Sequence, residues 1–235
     1  MGAKPVNCLL ANLPDELYQR LSVHLELVEL PQHKVLYHPG DRFEYAYFPI
    51  SSVVSNVATM ENGSTVEIGL IGKEGMVGLP IIFRTDYIIS SSWVVQLGGN
   101  GLRITAQKLQ KEIEQSEILH DFLMRYVQGH IIQISQTAAC NSYHKIEQRF
   151  ARWLLLVRDS IQKDKFYLTQ EFIAQMLGVR RSGVTEVASK FQKAGIIHYN
   201  RGLIQINSHE QLESYSCECY KLVKNEFDRI VRIQR

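Results

Sequence analysis

The sequence predicts an α+β chain in three parts: an N-terminal antiparallel β-barrel, a long helix, and a C-terminal helix-turn-helix followed by a β-hairpin wing. Three observations predict it. Between Leu25 and Ile104, short apolar runs are broken by Pro39-Gly40-Asp41, Asn62-Gly63, Gly72, Gly75, Gly78-Leu79-Pro80 and Gly98-Gly99-Asn100-Gly101, the texture of many short strands joined by tight turns. From about Thr105 the apolar period becomes helical and stays so to about Gln162, with one break expected at Asn141-Ser142. Leu168 to Ile206 then reads as helix, turn, helix and hairpin. The expected divisions are residues 1–113, 114–142 and 143–235.

Asn12-Leu13-Pro14-Asp15-Glu16 marks a helix start, with Asn12 or its neighbour as cap and Pro14 in the first turn, where its missing N–H costs nothing. That helix should end near His24. Asn62-Gly63 is the clearest hairpin signal, expected as a two-residue type I′ turn with positive φ at both residues. On the long helix, Ile118, Phe122, Arg125, Gly129 and Ile132 form one apolar-leaning stripe, and Leu123, Val127, Ile131, Ile134 and Ala138 another. Two such faces predict two packing partners: the β-domain, and the same helix of a second subunit in a homodimer. The next helix should span Tyr143 to Ile161.

The helix-turn-helix reading rests on Ala174, Gly178 and Val184. Two helices crossing closely need a small residue on the inner face, a glycine able to reach positive φ at the turn, and a packed aliphatic on the second helix. Ile173, Leu177, Val179, Val187 and Phe191 supply the surrounding core, and Gly195 ends the second helix. Ile196–Tyr199 and Leu203–Ile206, joined by Asn200-Arg201-Gly202, form the wing.

By helical period, Arg180, Arg181, Ser182, Thr185, Glu186, Ser189 and Lys190 face away from that core. A helix with such a face suits the major groove of double-stranded DNA, its N-terminal residues nearest the base edges. Arg181 can read guanine O6 and N7, Glu186 can accept from cytosine N4, and Ser182 is permissive; together with Thr185 these are the expected base readers. Thr169, Gln170, Arg180, Lys190 and Arg201 are the expected phosphate contacts.

Composition agrees once it is divided. The 235 residues are 45% hydrophobic and carry a formal net charge of only +2. Residues 144–235 hold 16 Lys+Arg against 10 Asp+Glu, or +6, leaving −4 on residues 1–143. Such asymmetry points a polyanion at the C-terminal part. No apolar run approaches a membrane span, and no signal core opens the chain, so the expected location is the cytoplasm. Cys8, Cys140, Cys217 and Cys219 are irregularly spaced. Cys217-x-Cys219 lacks a second cysteine pair or a histidine at zinc-finger spacing, so these thiols are expected to be structural, with no metal site and no cofactor.

With these motifs the chain resembles the Crp/Fnr family of bacterial transcription regulators over almost its whole length. Leu13-Pro14-Asp15, Pro39-Gly40-Asp41 and Tyr47-Phe48 resemble its cyclic-nucleotide-binding-like barrel, the long helix its dimerisation helix, and residues 168–206 its winged helix. The resemblance implies a homodimer on a palindromic operator that regulates transcription by contacting RNA polymerase. The effector site departs from the family pattern. Val77-Gly78-Leu79 falls on the Phe-Gly-Glu turn of cyclic-AMP-binding members and Ile89-Ser90 on their Arg-Ser pair, so Leu79 replaces the glutamate and Ile89 the arginine. A buried phosphate without its cation would lose charge-assisted bonds of roughly 1.5–3 kcal/mol each. Cyclic AMP is therefore not expected as a tight ligand. An effector of unknown identity is expected near Gly78, Leu79, Ser90, Ser91, Ser92, Ile134 and Ser135. Cys8 stands alone where iron–sulfur members place several cysteines, and His24, His33, His38, His120, His130 and His144 show no haem-ligating arrangement. The alternatives are a metal-dependent cupin-like enzyme, for which the β-region offers only His33 and His38, and a winged helix used for protein contact, which gives no reason for Arg180, Arg181 and Arg201 to be basic together.

Overall fold

The computed structural model describes residues 6–83 and 89–231. Two short helices open the chain, α1 (Cys8–Ala11) and α2 (Asp15–Ser22). Asn12 does not start α2 but ends α1, its Nδ2 donating to the Cys8 carbonyl at 2.8 Å. Pro14 is the residue before the first turn of α2. The cap of α1 is the fully buried Asn7, whose side-chain oxygen accepts from Leu10 N–H and whose Nδ2 donates to the carbonyls of Pro49 and Gly75, both at 2.9 Å.

Seven strands follow: β1 (Glu26–Leu30), β2 (Val35–Tyr37), β3 (Tyr45–Pro49), β4 (Val53–Thr59), β5 (Thr65–Ile71), β6 (Ser92–Leu97) and β7 (Gly99–Thr105). They make two antiparallel sheets, ordered β1-β7-β3 and β2-β6-β4-β5. The expected barrel is thus an open sandwich, with no ladder joining the sheets among the described residues. The chain changes sheets between β6 and β7, and glycine is required there. A Cβ on Gly98 would sit 2.9 Å from Gln32 N, and one on Gly99 2.6 Å from the Ser51 carbonyl. Leu30, Tyr37, Val54, Ile71, Val77, Trp93 and Val95 fill the interior.

The hairpin at Asn62-Gly63 exists but is not type I′. Gly63 has φ +79°, Asn62 is not in the positive region, and bonds from Met60 N to Ser64 O and from Gly63 N to Met60 O define a three-residue loop. Such loops pair a type I turn with a left-handed glycine. Asn62 instead accepts from the Ser64 N–H and hydroxyl.

The helical stretch contains three helices: α3 (Ala106–Glu114), α4 (Glu117–Tyr143) and α5 (Ile146–Ile161). Thr105 caps α3 and Ser116 caps α4, each hydroxyl accepting from a backbone N–H three residues on. The break expected at Asn141-Ser142 falls later, at His144-Lys145, where Gln148 Oε1 accepts from the Lys145 N–H. The buried face of α4 comprises Leu119, Phe122, Leu123, Tyr126, Val127, His130 and Gln133. It takes members from both expected stripes, while Ile118 and Ile131 remain 61% and 58% exposed. Tyr126 fixes α4 to the sandwich, its hydroxyl 2.9 Å from Met76 N and 3.2 Å from Met76 O.

The remaining elements are β8 (Lys165–Tyr167), α6 (Gln170–Leu177), α7 (Arg181–Lys193), β9 (Ile197–Asn200), β10 (Leu203–Ile206), α8 (His209–Tyr215) and α9 (Cys219–Val231). The wing has three strands, ordered β8-β10-β9.

Sandwich and C-terminal domain share a core, in which Val53, Val57, Leu70 and Leu97 meet Phe150, Trp153 and Leu154 of α5. A polar network crosses the same boundary. Trp153 Nε1 donates to Glu67 Oε1 at 2.9 Å, and Ser55 Oγ lies 2.6 Å from both Glu67 Oε2 and Gln96 Oε1. The single Ser55 proton serves only one of those oxygens, so a protonated Glu67 reconciles the two contacts. Burial pushes the Glu67 carboxyl up to about 7, against bonds from Ser55 and Trp153 and the nearby Arg152 charge. Below pH 4.5 folded and unfolded chains both hold this proton. Between pH 4.5 and about 7 the unfolded chain releases it first, so stability falls with rising pH across that window. The expected loss is about 3 kcal/mol, and Glu67→Gln should abolish it. Urea unfolding of both proteins at pH 5 and pH 8 checks this; equal losses in parent and variant would exclude Glu67 as the source.

Candidate nucleic-acid interface

The helix-turn-helix is built from local signals. Thr169 caps α6, its Oγ1 accepting from Phe172 N–H at 3.2 Å. Gly178 ends α6 at φ +61°, and its N–H and that of Val179 return to Gln175 and Ala174 carbonyls. Ala174 and Val184 are buried between the helices, as the motif requires. Arg180 is the N-cap residue of α7. At its other end Ile196 N–H bonds the Phe191 carbonyl and Gly195 N–H that of Gln192, with Gly195 at φ +73°. This is a Schellman motif, and it sets the direction of β9. The wing turn is type I′: Arg201 has φ +47° and Gly202 φ +88°. The geometry expected at Asn62-Gly63 therefore occurs here, holding Arg201 exposed at the tip. Gly202 is also pressed against Tyr167 of β8, whose ring carbon would lie 2.6 Å from an added Cβ.

Every expected base reader is exposed on α7. Arg181, Ser182, Thr185, Glu186 and Ser189 together line one open concave surface. The hydroxyl of Thr185 is engaged within the motif, 2.7 Å from Gln170 Oε1 and 3.0 Å from the Arg181 carbonyl. Gln170 thereby links the two helices. Among the described residues Arg180, Arg181 and Arg201 join no ion pair, whereas Lys190 is held by both Glu147 carboxylate oxygens at 2.9 and 3.0 Å. Residues missed by sequence reasoning support this surface. Arg149 Nη2 donates to the Leu177 carbonyl at the end of α6, and Glu147 anchors Lys190. Both lie on α5 outside the motif, and no local spacing announces them.

The expected effector residues stand on several elements and differ in exposure. Gly78 has φ +102°, and Leu79, buried at 8% exposure, opens a 3₁₀ turn (Leu79–Phe83). Ile89 is buried, bonded through its backbone to Gly40 and Asp41. Ser90 is exposed, Ser91 buried and Ser92 half-buried at the start of β6, while Ile134 is half-buried and Ser135 exposed on α4. None lines the cleft of about 430 Å³ beside Arg42, Glu44 and Gln110 or that of about 410 Å³ between Glu74, Asp159 and Phe227. His33 and His38 belong to no cluster of potential metal ligands among the described residues.

A β-sandwich carried through a long helix to a winged helix with an exposed polar second helix defines a transcription regulator that binds DNA. The sequence matches the model of the Crp-like helix-turn-helix domain over residues 148–215 and that of the cyclic nucleotide-binding domain over residues 27–116. The chain belongs to the Crp/Fnr family of transcriptional regulators. Solved structures share its fold. A Crp/Fnr-family regulator of Eubacterium rectale is 16% identical, with a TM-score of 0.67 over 88% of this chain and 96% of that one. The global regulator CLP of Xanthomonas campestris, described as c-di-GMP responsive, is 16% identical, with a TM-score of 0.65 over 83% and 100%. A CRP-family regulator of Thermus thermophilus is 13% identical, with a TM-score of 0.67 over 80% and 96%. No curated protein sequence matches the chain. Among the described residues no helix is long and apolar enough to cross a membrane.

Proposed function

We propose that the chain acts as a homodimer on a palindromic operator, each α7 entering a major groove. The observation that carries this is the open face of α7, where Arg181, Ser182, Thr185 and Glu186 converge. These four read bases. Arg180 and Arg201 contact phosphates, and Lys190 does so on exchanging Glu147 for the backbone. Thr169 contributes through the α6 N-terminus it caps, and Gln170 by ordering Thr185. Dimerisation is supported by the uncovered face of α4, where Ile118, Arg125, Gln128, Ile131, Ser135 and Ala138 are exposed. Apolar residues there gain by meeting a second copy. RNA polymerase is the further partner such an operator-bound dimer would have. Any effector differs from cyclic AMP, because the positions of its carboxylate and cation partners hold buried Leu79 and Ile89.

Selection of bound DNA from a random pool tests this reading. The expected result is an enriched palindrome with half-sites one helical turn, or a multiple, apart, and affinity falling steeply between about 50 and 200 mM salt. No enrichment and flat salt dependence would overturn it, leaving the winged helix as a protein-contact module.

A further inference from the structure

Cys140 and His144 lie one turn apart at the C-terminal end of α4, and Cys217 and Cys219 flank the start of α9. The fold brings the four together: their ligand atoms all lie within 4.8 Å of one another. Cys140 Sγ is 3.5 Å from Cys217 Sγ, and Cys219 Sγ is 3.5 Å from His144 Nδ1. Zn–S bonds of about 2.3 Å and a Zn–N bond of about 2.0 Å at tetrahedral angles separate sulfurs by about 3.8 Å and sulfur from nitrogen by about 3.5 Å. The arrangement is already near that size. The three cysteines are buried, and His144 is half-buried.

Two further observations point to a metal rather than to packed thiols. His144 turns Nδ1 toward the cysteines, while its Nε2 lies 3.3 Å from the Glu218 carboxylate. A carboxylate on the outer nitrogen is the usual support of a metal-bound imidazole, fixing its tautomer. Arg149 and Arg152, whose charges act on Cys140, each carry a buried Nε without a hydrogen-bond partner. Neutral thiols give these guanidiniums no counter-charge from the cluster. Three thiolates, a neutral imidazole and a divalent cation sum to −1, which supplies one.

We infer that Cys140, His144, Cys217 and Cys219 bind a single zinc-class divalent ion in a closed, four-coordinate structural site. The ion fastens the end of α4 to the start of α9. Through Arg149, whose Nη2 holds the Leu177 carbonyl, it also braces α6. Four protein ligands leave no open position for catalysis. In the sequence Cys217-x-Cys219 lacks partners at finger spacing; in the fold they come from a helix 77 residues away.

Elemental analysis of the purified full chain is the test. One zinc per chain is expected, surviving gel filtration and released by a mercurial thiol reagent. Cys217→Ser should lose it. Should that variant fail to fold, cobalt added to the metal-stripped parent is expected to give thiolate charge-transfer and tetrahedral d–d bands. Glu218→Gln, which keeps all four ligands, should weaken zinc by about 10–100-fold in competition with a chromophoric chelator. A chain without zinc and without those cobalt bands would overturn the inference, as would a Cys140–Cys217 disulfide in protein isolated under alkylation. None of these measurements depends on DNA.

Discussion

Arg181→Ala is expected to weaken operator binding by about 1–3 kcal/mol per half-site, so about 2–6 kcal/mol for a symmetric dimer, and to relax base preference at one position in each half-site. Arg181 stands at the first position of α7, exposed, in no ion pair among the described residues, on the same open surface as Ser182, Thr185 and Glu186. A free guanidinium there reaches a guanine edge without first breaking an internal bond. Arg201 provides the contrast. It sits on the wing at φ +47°, exposed, and Arg201→Ala should weaken all sequences alike while reducing the salt slope by about 1 per wing. Anisotropy titrations on operator and scrambled duplexes at several salt concentrations separate the two. Loss of discrimination in Arg201→Ala, with uniform weakening in Arg181→Ala, would mean that the base-reading and phosphate-holding roles are exchanged.

Phe191→Ala is expected to destabilise the C-terminal domain by about 3–5 kcal/mol. The ring has 0% exposure, stacks on Phe150 with centroids 6.0 Å apart and an interplanar angle of 10°, and meets Tyr215 edge-on at 5.2 Å. One substitution thus opens a cavity shared by α5, α7 and α8. Against a typical total of about 5–15 kcal/mol, the loss is a large fraction. Ser189→Ala, on the exposed face of the same helix, should stay within about 0.5 kcal/mol. Urea unfolding monitored by tryptophan emission compares them, since Trp153 lies in the same core. A Phe191→Ala loss below about 1 kcal/mol would show that the core collapses around the gap.

The parts legible in the sequence are those set by short-range chemistry. Gly178 and Gly195 occupy the left-handed turns their spacing predicts, and Ala174 and Val184 lie at the helix crossing. The inward and outward residues of α7 separate by helical period alone. Short-range reading failed where neighbours compete. Asn12 was eligible as a cap for α2, but its side chain closes α1. Asn62-Gly63 fits type I′, yet its loop takes three residues, and Arg201-Gly202, with a bulky arginine at positive φ, takes the tighter turn. The pairing of β9 with β10 and the contact of Gly202 with Tyr167 decide that conformation. On α4, period alone divided the apolar residues into two stripes, and the face that packs draws on both.

The sequence by itself determined the order of parts, the helix-turn-helix with its outward polar face, and the division of charge into +6 and −4, because each depends on residues a few positions apart or on simple sums. Tertiary structure alone decided which face of α4 is covered, that Glu147 restrains Lys190, that Glu67 meets Trp153 across the domain boundary, and that Cys140 and His144 meet Cys217 and Cys219. Those contacts join residues 43 to 86 positions apart. They exist because apolar faces on separate elements bury each other, carrying polar groups into contact that no local spacing records.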